Sequence, residues 1–300
     1  MPLSVVTPAP TRRLTRKEHV TAEIGAADPI LLDRLIDAAS AAIENLCGVV
    51  FAREAVMELV PGFGDTRLQL QRRPIVAVTA VVFDGEVITD YAIDDREEGT
   101  LYRRAGWGWT AQVALGLTGN QRWPGFGSPL PNSEEARFSV SHVSGYILPE
   151  QDLESVRTVS AALADNSFND SANGFPALLK AGDLIEVAGF QLAANNGRFL
   201  VTGTPTVGKI QVSATLATEP VGEFLTHFRF RAPADCRRRF DDVEKACIET
   251  VKSWWLERAK DPGVAEKQVG SLRIRYGDVA LPVPAICVGL LRPWMSARAA

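Results

Sequence analysis

The sequence predicts an α+β chain: a helical core with a small antiparallel β-sheet, interrupted by an inserted small β-barrel or sandwich. Three observations predict it. A run of strands closes at Ser144-Gly145-Tyr146-Ile147-Leu148-Pro149. A helical pattern then opens at Pro233-Ala234-Asp235 and carries Trp254-Trp255. The stretch between them has its own turns and its own strand periodicity, so it can close its own core and sit inside a host.

The N-terminal residues 1–14 are Pro-rich and predict an extended arm. Thr15-Arg16-Lys17-Glu18 has the pattern of a capping box, which predicts a short helix to about Ile24, ending near Gly25. Asp28-Pro29 is the next start signal, because Asp28 can cap and Pro29 suits a first helical position. Leu32, Leu35, Ile36, Ala39, Ala42, Ile43 and Leu46 recur at helical spacing up to a C-cap glycine, Gly48. Strands follow over Val49 to Val60, around Leu68 and Leu70, and over Ile75 to Phe83. Asp84-Gly85 signals a hairpin, and Tyr91-Ala92-Ile93 returns the chain. Gly99 to Arg103 gives another short strand, and Phe138 to Val143 alternates as a strand. The stretch from Gly106 to Asn132 is a long loop with Trp107, Trp109 and Trp123 as anchors.

The inserted segment spans 150–232. Strands are expected over Val156 to Ala164, Leu184 to Ala188, Arg198 to Thr202 and Lys209 to Ser213, with a polar loop over Asp165 to Asn173. The host resumes over 233–262 with Phe240, Val243, Ala246, Cys247, Thr250, Val251 and Trp254 at helical spacing, stopped by Asp261-Pro262-Gly263. Residues 263–300 form a C-terminal arm: a short strand over Val269 to Tyr276 and a short helix over Ala285 to Leu291. The first host part is therefore 15–149.

Composition narrows the function. The chain has 300 residues, 46% of them hydrophobic, enough for two domains with cores of their own. A net charge of −4 gives no global field for nucleic acid. Arg12, Arg13, Arg16 and Lys17, and Arg237-Arg238-Arg239, are local basic clusters, first a solvated surface and second a contact for DNA or an acidic partner. Cys47, Cys236, Cys247 and Cys287 match no zinc spacing, so reduced thiols in a cytoplasm are expected. The N-terminus lacks the pattern of a signal peptide, and no apolar run is long enough to span a bilayer.

No catalytic or cofactor motif stands out. His19, His142 and His227 fall on different elements without metal-ligand spacing. Pro61-Gly62-Phe63-Gly64 and Pro124-Gly125-Phe126-Gly127 are turns without the Lys-Ser/Thr of a phosphate loop. Asp94-Asp95 with Glu97-Glu98 is a solvated hairpin loop before it is a cation site. No enzyme, cofactor or metal is expected. Trp254 and Trp255 point about 100° apart on a helix, so one ring can enter the core while the other faces outward or a neighbour; the pair is either two core or boundary aromatics or a subunit-interface anchor.

The order of these signals resembles the head–tail connector (adaptor) family of long-tailed bacteriophages. The residues that carry it are Leu14 to Val20, then Asp28 to Gly48. Arg73-Pro74-Ile75-Val76-Ala77-Val78-Thr79 before Asp84-Gly85-Glu86 continues it, with Tyr91 and Leu101-Tyr102-Arg103. Phe138-Ser139-Val140, Ser144-Gly145-Tyr146 and Pro233-Ala234-Asp235 leading to Trp254-Trp255 complete it. The resemblance covers most of 14–148 and 233–260, and the inserted segment departs from it. It implies a virion neck protein, assembled in the host cytoplasm as a dodecameric ring of identical subunits. The ring would dock beneath the portal protein, face a tail-side neck or tail terminator protein, and frame a channel through which genomic DNA slides. By position it implies Leu272, Ile274, Tyr276 and Trp294 as portal or neighbour contacts. The alternative is a tail-completion or baseplate component whose β insert binds a surface or glycan.

Overall fold

The computed structural model describes residues 3–108, 137–222, 224–236, 238, 240–257, 266–269, 272–275 and 283–295, with backbone alone at 232, 266–269 and 272–275. The chain divides into two compact units, Met1–Pro8 with Arg53–Gly145, and Ala9–Ala52 with Tyr146–Ala300.

The first unit is built from β1 (Leu3–Thr7), β2 (Glu54–Val60), β3 (Arg67–Gln69), β4 (Ile75–Phe83), β5 (Glu86–Val87), β6 (Ala92–Asp95), β7 (Thr100–Tyr102) and β8 (Phe138–Ser144). These make a five-stranded sheet ordered β1-β2-β8-β4-β5 and a three-stranded sheet ordered β3-β7-β6. All pairs are antiparallel. Asp84 and Gly85 both take positive φ, 51° and 79°, which is the two-residue turn the hairpin signal calls for. The core joins Val60, Leu68, Ile75, Val81, Leu101, Trp107, Phe138 and Val140. Beside it Glu58 and His142 are both buried, with His142 Nε2 3.3 Å from Glu58 Oε1. Glu58 also accepts the backbone N–H groups of Gln71 and Arg72, each at 2.8 Å. Burial pushes the Glu58 carboxyl up, but these hydrogen bonds outweigh it and hold it below its ordinary value. The ionised Glu58 accepts from His142 Nε2, and His142 Nδ1 has no hydrogen-bond partner.

The second unit contains α1 (Lys17–Ile24), α2 (Pro29–Cys47), β9 (Leu153–Val156), β10 (Val159–Ala162), β11 (Ser167–Asp170), β12 (Asp183–Ala188), β13 (Gly197–Thr206), β14 (Lys209–Val212), β15 (Thr226–Pro233), α3 (Asp241–Glu257), the hairpin β16 (Glu266–Val269) and β17 (Leu272–Arg275), and α4 (Ala285–Leu291). Asp28 caps α2 by accepting from Ile30 N at 3.0 Å, and Gly48 closes it in the left-handed conformation. α1, α2, α3 and α4 share one cluster that includes Leu32, Ile36, Ile43, Phe51, Tyr146, Val243, Val251 and Trp294. Cys47, Cys247 and Cys287 are buried there as free thiols, and burial pushes Cys47 and Cys247 up to about 12. The seven-stranded sheet, ordered β10-β11-β14-β13-β12-β15-β9, folds around a second cluster of phenylalanines. Phe168 lies at its centre, edge-on to Phe199 at 5.4 Å and to Phe228 at 5.2 Å.

The expected α+β chain organised on a helical connector core is corrected. Among the described residues the protein is mostly β, with antiparallel sheets of five, three and seven strands. The four helices have 8, 19, 17 and 7 residues, and no helical connector core is evident. Two strands account for much of the difference. β11 falls inside the expected polar loop, where Ser167 and Asp170 are buried and hydrogen-bonded and Phe168 alone carries the apolar signal. β15 runs up to Pro233, the residue expected to open the long helix, because Phe228 and Phe230 alternate into the sheet core. The helix itself begins at Asp241. The capping box also fails: α1 starts at Lys17 with no side-chain cap, and Thr15 Oγ1 donates to Glu244 instead.

Phe168→Ala should lower stability in urea unfolding by about 4 kcal/mol, through the cavity left among the phenylalanines. Asp28→Ala should cost about 1 kcal/mol, the value of one helix cap.

Candidate functional site

Two features of the second unit concentrate polar chemistry. The first is a groove of about 420 Å³ lined by His19, Glu154, Glu186, Val187, Ala188, His227 and Arg229. His19 reaches it from α1, Glu154 from β9, Glu186 from β12, and His227 and Arg229 from β15. His19 Nδ1 lies 2.6 Å from Glu244 Oε1 on α3, and its Nε2 lies 3.5 Å from Glu154 Oε1. The bond to Glu244 raises the His19 pKa against the cost of burial, which favours an imidazolium with both N–H groups used. Arg16 adds an ion pair to Glu154 at 3.2 Å and donates to the Asp152 carbonyl at 3.3 Å. Glu186 is held by Arg198 and Arg231. His227 Nδ1 accepts from Ser155 N at 3.3 Å, which leaves the proton on Nε2 in the neutral ring.

Asp152 sits beneath this cluster. Its carboxylate accepts from Phe230 N at 2.8 Å and lies 3.8 Å from Arg231. Desolvation pushes it up to about 7, past the opposing effects of that hydrogen bond and of Arg231 and Arg16. The groove's carboxylates are thus engaged by cations. The arrangement ties α1 and α3 to the sheet.

The second feature is one end of the seven-stranded sheet. Three loops meet there: 163–166, 189–196 and 213–225. Glu219, buried, accepts from Gln191 N at 2.6 Å, Leu192 N at 3.3 Å and Asn195 Nδ2 at 2.8 Å. Asn195, also buried, accepts from Ala217 N at 2.9 Å and donates to Ala217 O at 3.0 Å. Asn166 Oδ1 accepts from Leu216 N at 3.2 Å. Glu219 and Ala161 exchange backbone hydrogen bonds at 2.9 and 3.0 Å. At Gly189 (φ +96°) an added Cβ would fall 2.1 Å from Leu225 O, so only glycine fits this approach. This welded backbone presents Leu163, Leu192, Val221 and Leu225 to solvent, each 42–51% exposed.

Trp294 is buried, edge-on to Phe51 at 5.5 Å and Tyr146 at 5.4 Å, with the Arg238 guanidinium 6.0 Å from its ring centre. Trp254 is half-buried against the helical cluster, and Trp255 is half-buried beside it. Leu272 and Ile274 lie on β17, and their side chains fall outside the described residues, as does Tyr276 entirely. In the first basic cluster, Arg13 is bound by Asp33, Asp37 and Glu150, and Lys17 by Asp33. Within the acidic run, Asp94 pairs with Arg67 and Glu98 with Arg73. Among the described residues no group of three or more His, Cys, Asp or Glu could hold a metal ion, and no helix is long and apolar enough to cross a membrane. Asp152, Glu219 and Asn195 carry no motif in the sequence; only the turn-forming run Asn195-Asn196-Gly197 ahead of the expected strand over Arg198 to Thr202 lies near the last.

No family model and no curated protein matches the chain. Among solved structures, it is similar to a chain from the neck of an empty GTA particle computed with C6 symmetry, at 12% identity. That match covers 99% of this chain and 97% of the other, with a TM-score of 0.30, at which the two do not superpose as one fold.

Two outcomes are expected. Above the unfolded carboxylate range the folded chain keeps a proton on Asp152 that the unfolded chain releases, so this group makes stability fall as pH rises from about 4 to about 7, by at most about 1.4 kcal/mol per pH unit. His19, raised in the folded chain, adds stability below its unfolded value that is lost as pH rises through its folded value. Asp152→Asn keeps an acceptor for Phe230 N and should flatten the fall between pH 4 and 7 in denaturant titrations. Glu219→Ala should cost about 3 kcal/mol, because it strands buried N–H donors.

Proposed function

We propose that the protein is a structural component of a virion neck, a head–tail adaptor. It assembles as a ring of identical subunits beneath the portal protein, meets a tail-side neck or terminator protein, and frames the channel for DNA. The observation that carries a structural reading is how the ionisable side chains are used. Each histidine has a bonding partner in the fold: His19 with Glu244 and Glu154, His142 with Glu58, and His227 with Ser155 N. The buried carboxylates Glu58, Asp152 and Glu219 accept backbone N–H groups of neighbouring segments. Among the described residues these ionisable groups join elements of the fold. The adaptor assignment within that class rests on the ordered stretches from Leu14 to Trp255, which fall on α1, α2, β4, β7, β8 and α3.

Light scattering of the purified chain, alone and mixed with portal protein, tests this. The expected result is a ring-sized species, formed alone or on the portal. A persistent single chain with no affinity for portal would contradict it and direct attention to a role elsewhere in the particle.

A further inference from the structure

α1 has little of its own to hold it. It is 8 residues long, Val20 is its only fully buried side chain, and it starts without a side-chain cap. A helix this short is marginal in water, so its order depends on what it touches. Most of those contacts are charged. Lys17 pairs with Asp33 of α2 at 2.7 Å, and Glu23 pairs with Lys252 of α3 at 3.0 Å. Both pairs are partly exposed, where an ion pair contributes little. His19 makes a contact of another kind. It stands between Glu244 of α3, at 2.6 Å from Nδ1, and Glu154 of β9, at 3.5 Å from Nε2.

One ring that serves two carboxylates needs a proton on each nitrogen. The imidazolium has both, whereas the neutral ring has one N–H and can donate to a single carboxylate. Loss of the proton therefore removes a charge and also cuts the bridge, since either Glu244 or Glu154 loses its histidine donor. Among the described residues Glu244 then keeps the Thr15 hydroxyl, at 3.3 Å. Glu154 keeps Arg16 at 3.2 Å, which also serves Glu18 and the Asp152 carbonyl.

The surroundings act in the same direction. Asp152 is buried beneath the bridge, and burial pushes its carboxyl up to about 7, with the Glu244 charge adding to the rise. Once Asp152 ionises, three carboxylates (Asp152, Glu154 and Glu244) surround a neutral imidazole. The cations paired with them are Arg16 and Arg231, and Arg231 is shared with Glu186. On β15, His227 uses Nδ1 for Ser155 N, and Arg229 is exposed. The bond to Glu244 holds the His19 proton above the ordinary imidazole range. His19 and Asp152 both have raised values in the folded chain, so both favour the bridged state at low pH and withdraw that support as pH rises.

We propose that α1 is a proton-operated latch: with His19 charged it is clamped across Glu244 and Glu154, and when that proton passes to solvent α1 releases while the rest of the chain stays folded. Release uncovers Val20 and its place in the helical cluster. The latch is independent of the ring reading.

Amide hydrogen exchange of the full chain tests it at about pH 5 and about pH 9, each rate divided by that of the unfolded chain at the same pH. Peptides within Lys17–Gly25 should lose protection by at least about tenfold at the higher pH, while those of α2 keep theirs. His19→Lys, which keeps a cation at both values, should hold α1 protected at both. His19→Gln, which cannot titrate, should leave α1 weakly protected at both. Asp152→Asn should retain most of the response. Equal protection of wild-type α1 at both values, or loss of protection in α2 and the sheet along with it, means there is no latch. A response that persists in folded His19→Lys or His19→Gln, or that disappears in Asp152→Asn, puts the switch in another group and overturns the proposal.

Discussion

Backbone amides that no strand or helix satisfies are met, again and again, by carboxylates. A mostly β chain with many connections has many such amides, and burying one unpaired is costly. Glu44 accepts from Phe51 N beyond the end of α2, and Glu58 accepts from Gln71 and Arg72 N. In the seven-stranded sheet Asp152 takes Phe230 N, Asp170 takes Ala172 and Gly174 N, and Asp183 takes Lys180 N. Glu219 does the same for Gln191 and Leu192 N. Asp170 and Asp183 close turns beside their own strands, whereas Glu58, Asp152 and Glu219 each stand on one segment and fix another, so these loops acquire the order of the sheets they join.

This constraint links stability to what the surface can do. A loop closed only by turn propensity samples many conformations, and its apolar side chains then gain little by docking. The loops gathered by Glu219 and Asn195 have that freedom removed. At the groove, the same logic binds His19 between Glu244 and Glu154, with Arg16 alongside, so α1 and α3 are anchored to the sheet by charge as well as by packing. Asp152 is the exception that carries a cost: it is buried beside Arg231, yet desolvation dominates its protonation, and the clamp becomes sensitive to pH.

Periodicity made some elements legible and concealed others. α2 was readable end to end, since Asp28, Pro29 and Gly48 act through local geometry that the sequence states directly. The β4–β5 hairpin was readable for the same reason, through Asp84-Gly85. β11 was concealed because Ser167 and Asp170 are polar yet buried, their side chains satisfied by Asp165, Ala172 N and Gly174 N in the turns that flank the strand, so the segment reads as a polar loop. β15 was hidden by the helical start signal read at Pro233, where the alternating phenylalanines upstream were the stronger fact. Thr15 had two possible uses, and the distant Glu244 won over the local cap. Glu219 was invisible because nothing in a loop sequence marks the one acid that turns inward. Trp294 is enclosed by Phe51 and Tyr146, a packing that only the folded chain reveals.

The central claim is that buried carboxylates give these loops the rigidity of the sheets. Amide hydrogen exchange followed by mass spectrometry tests it most directly. Peptides covering Gln71–Arg72 and Gln191–Leu192 should be protected to nearly the same degree as those from β2 and β13. Exchange in those loop peptides at the rate of unstructured chain, with the strands still protected, would contradict the account.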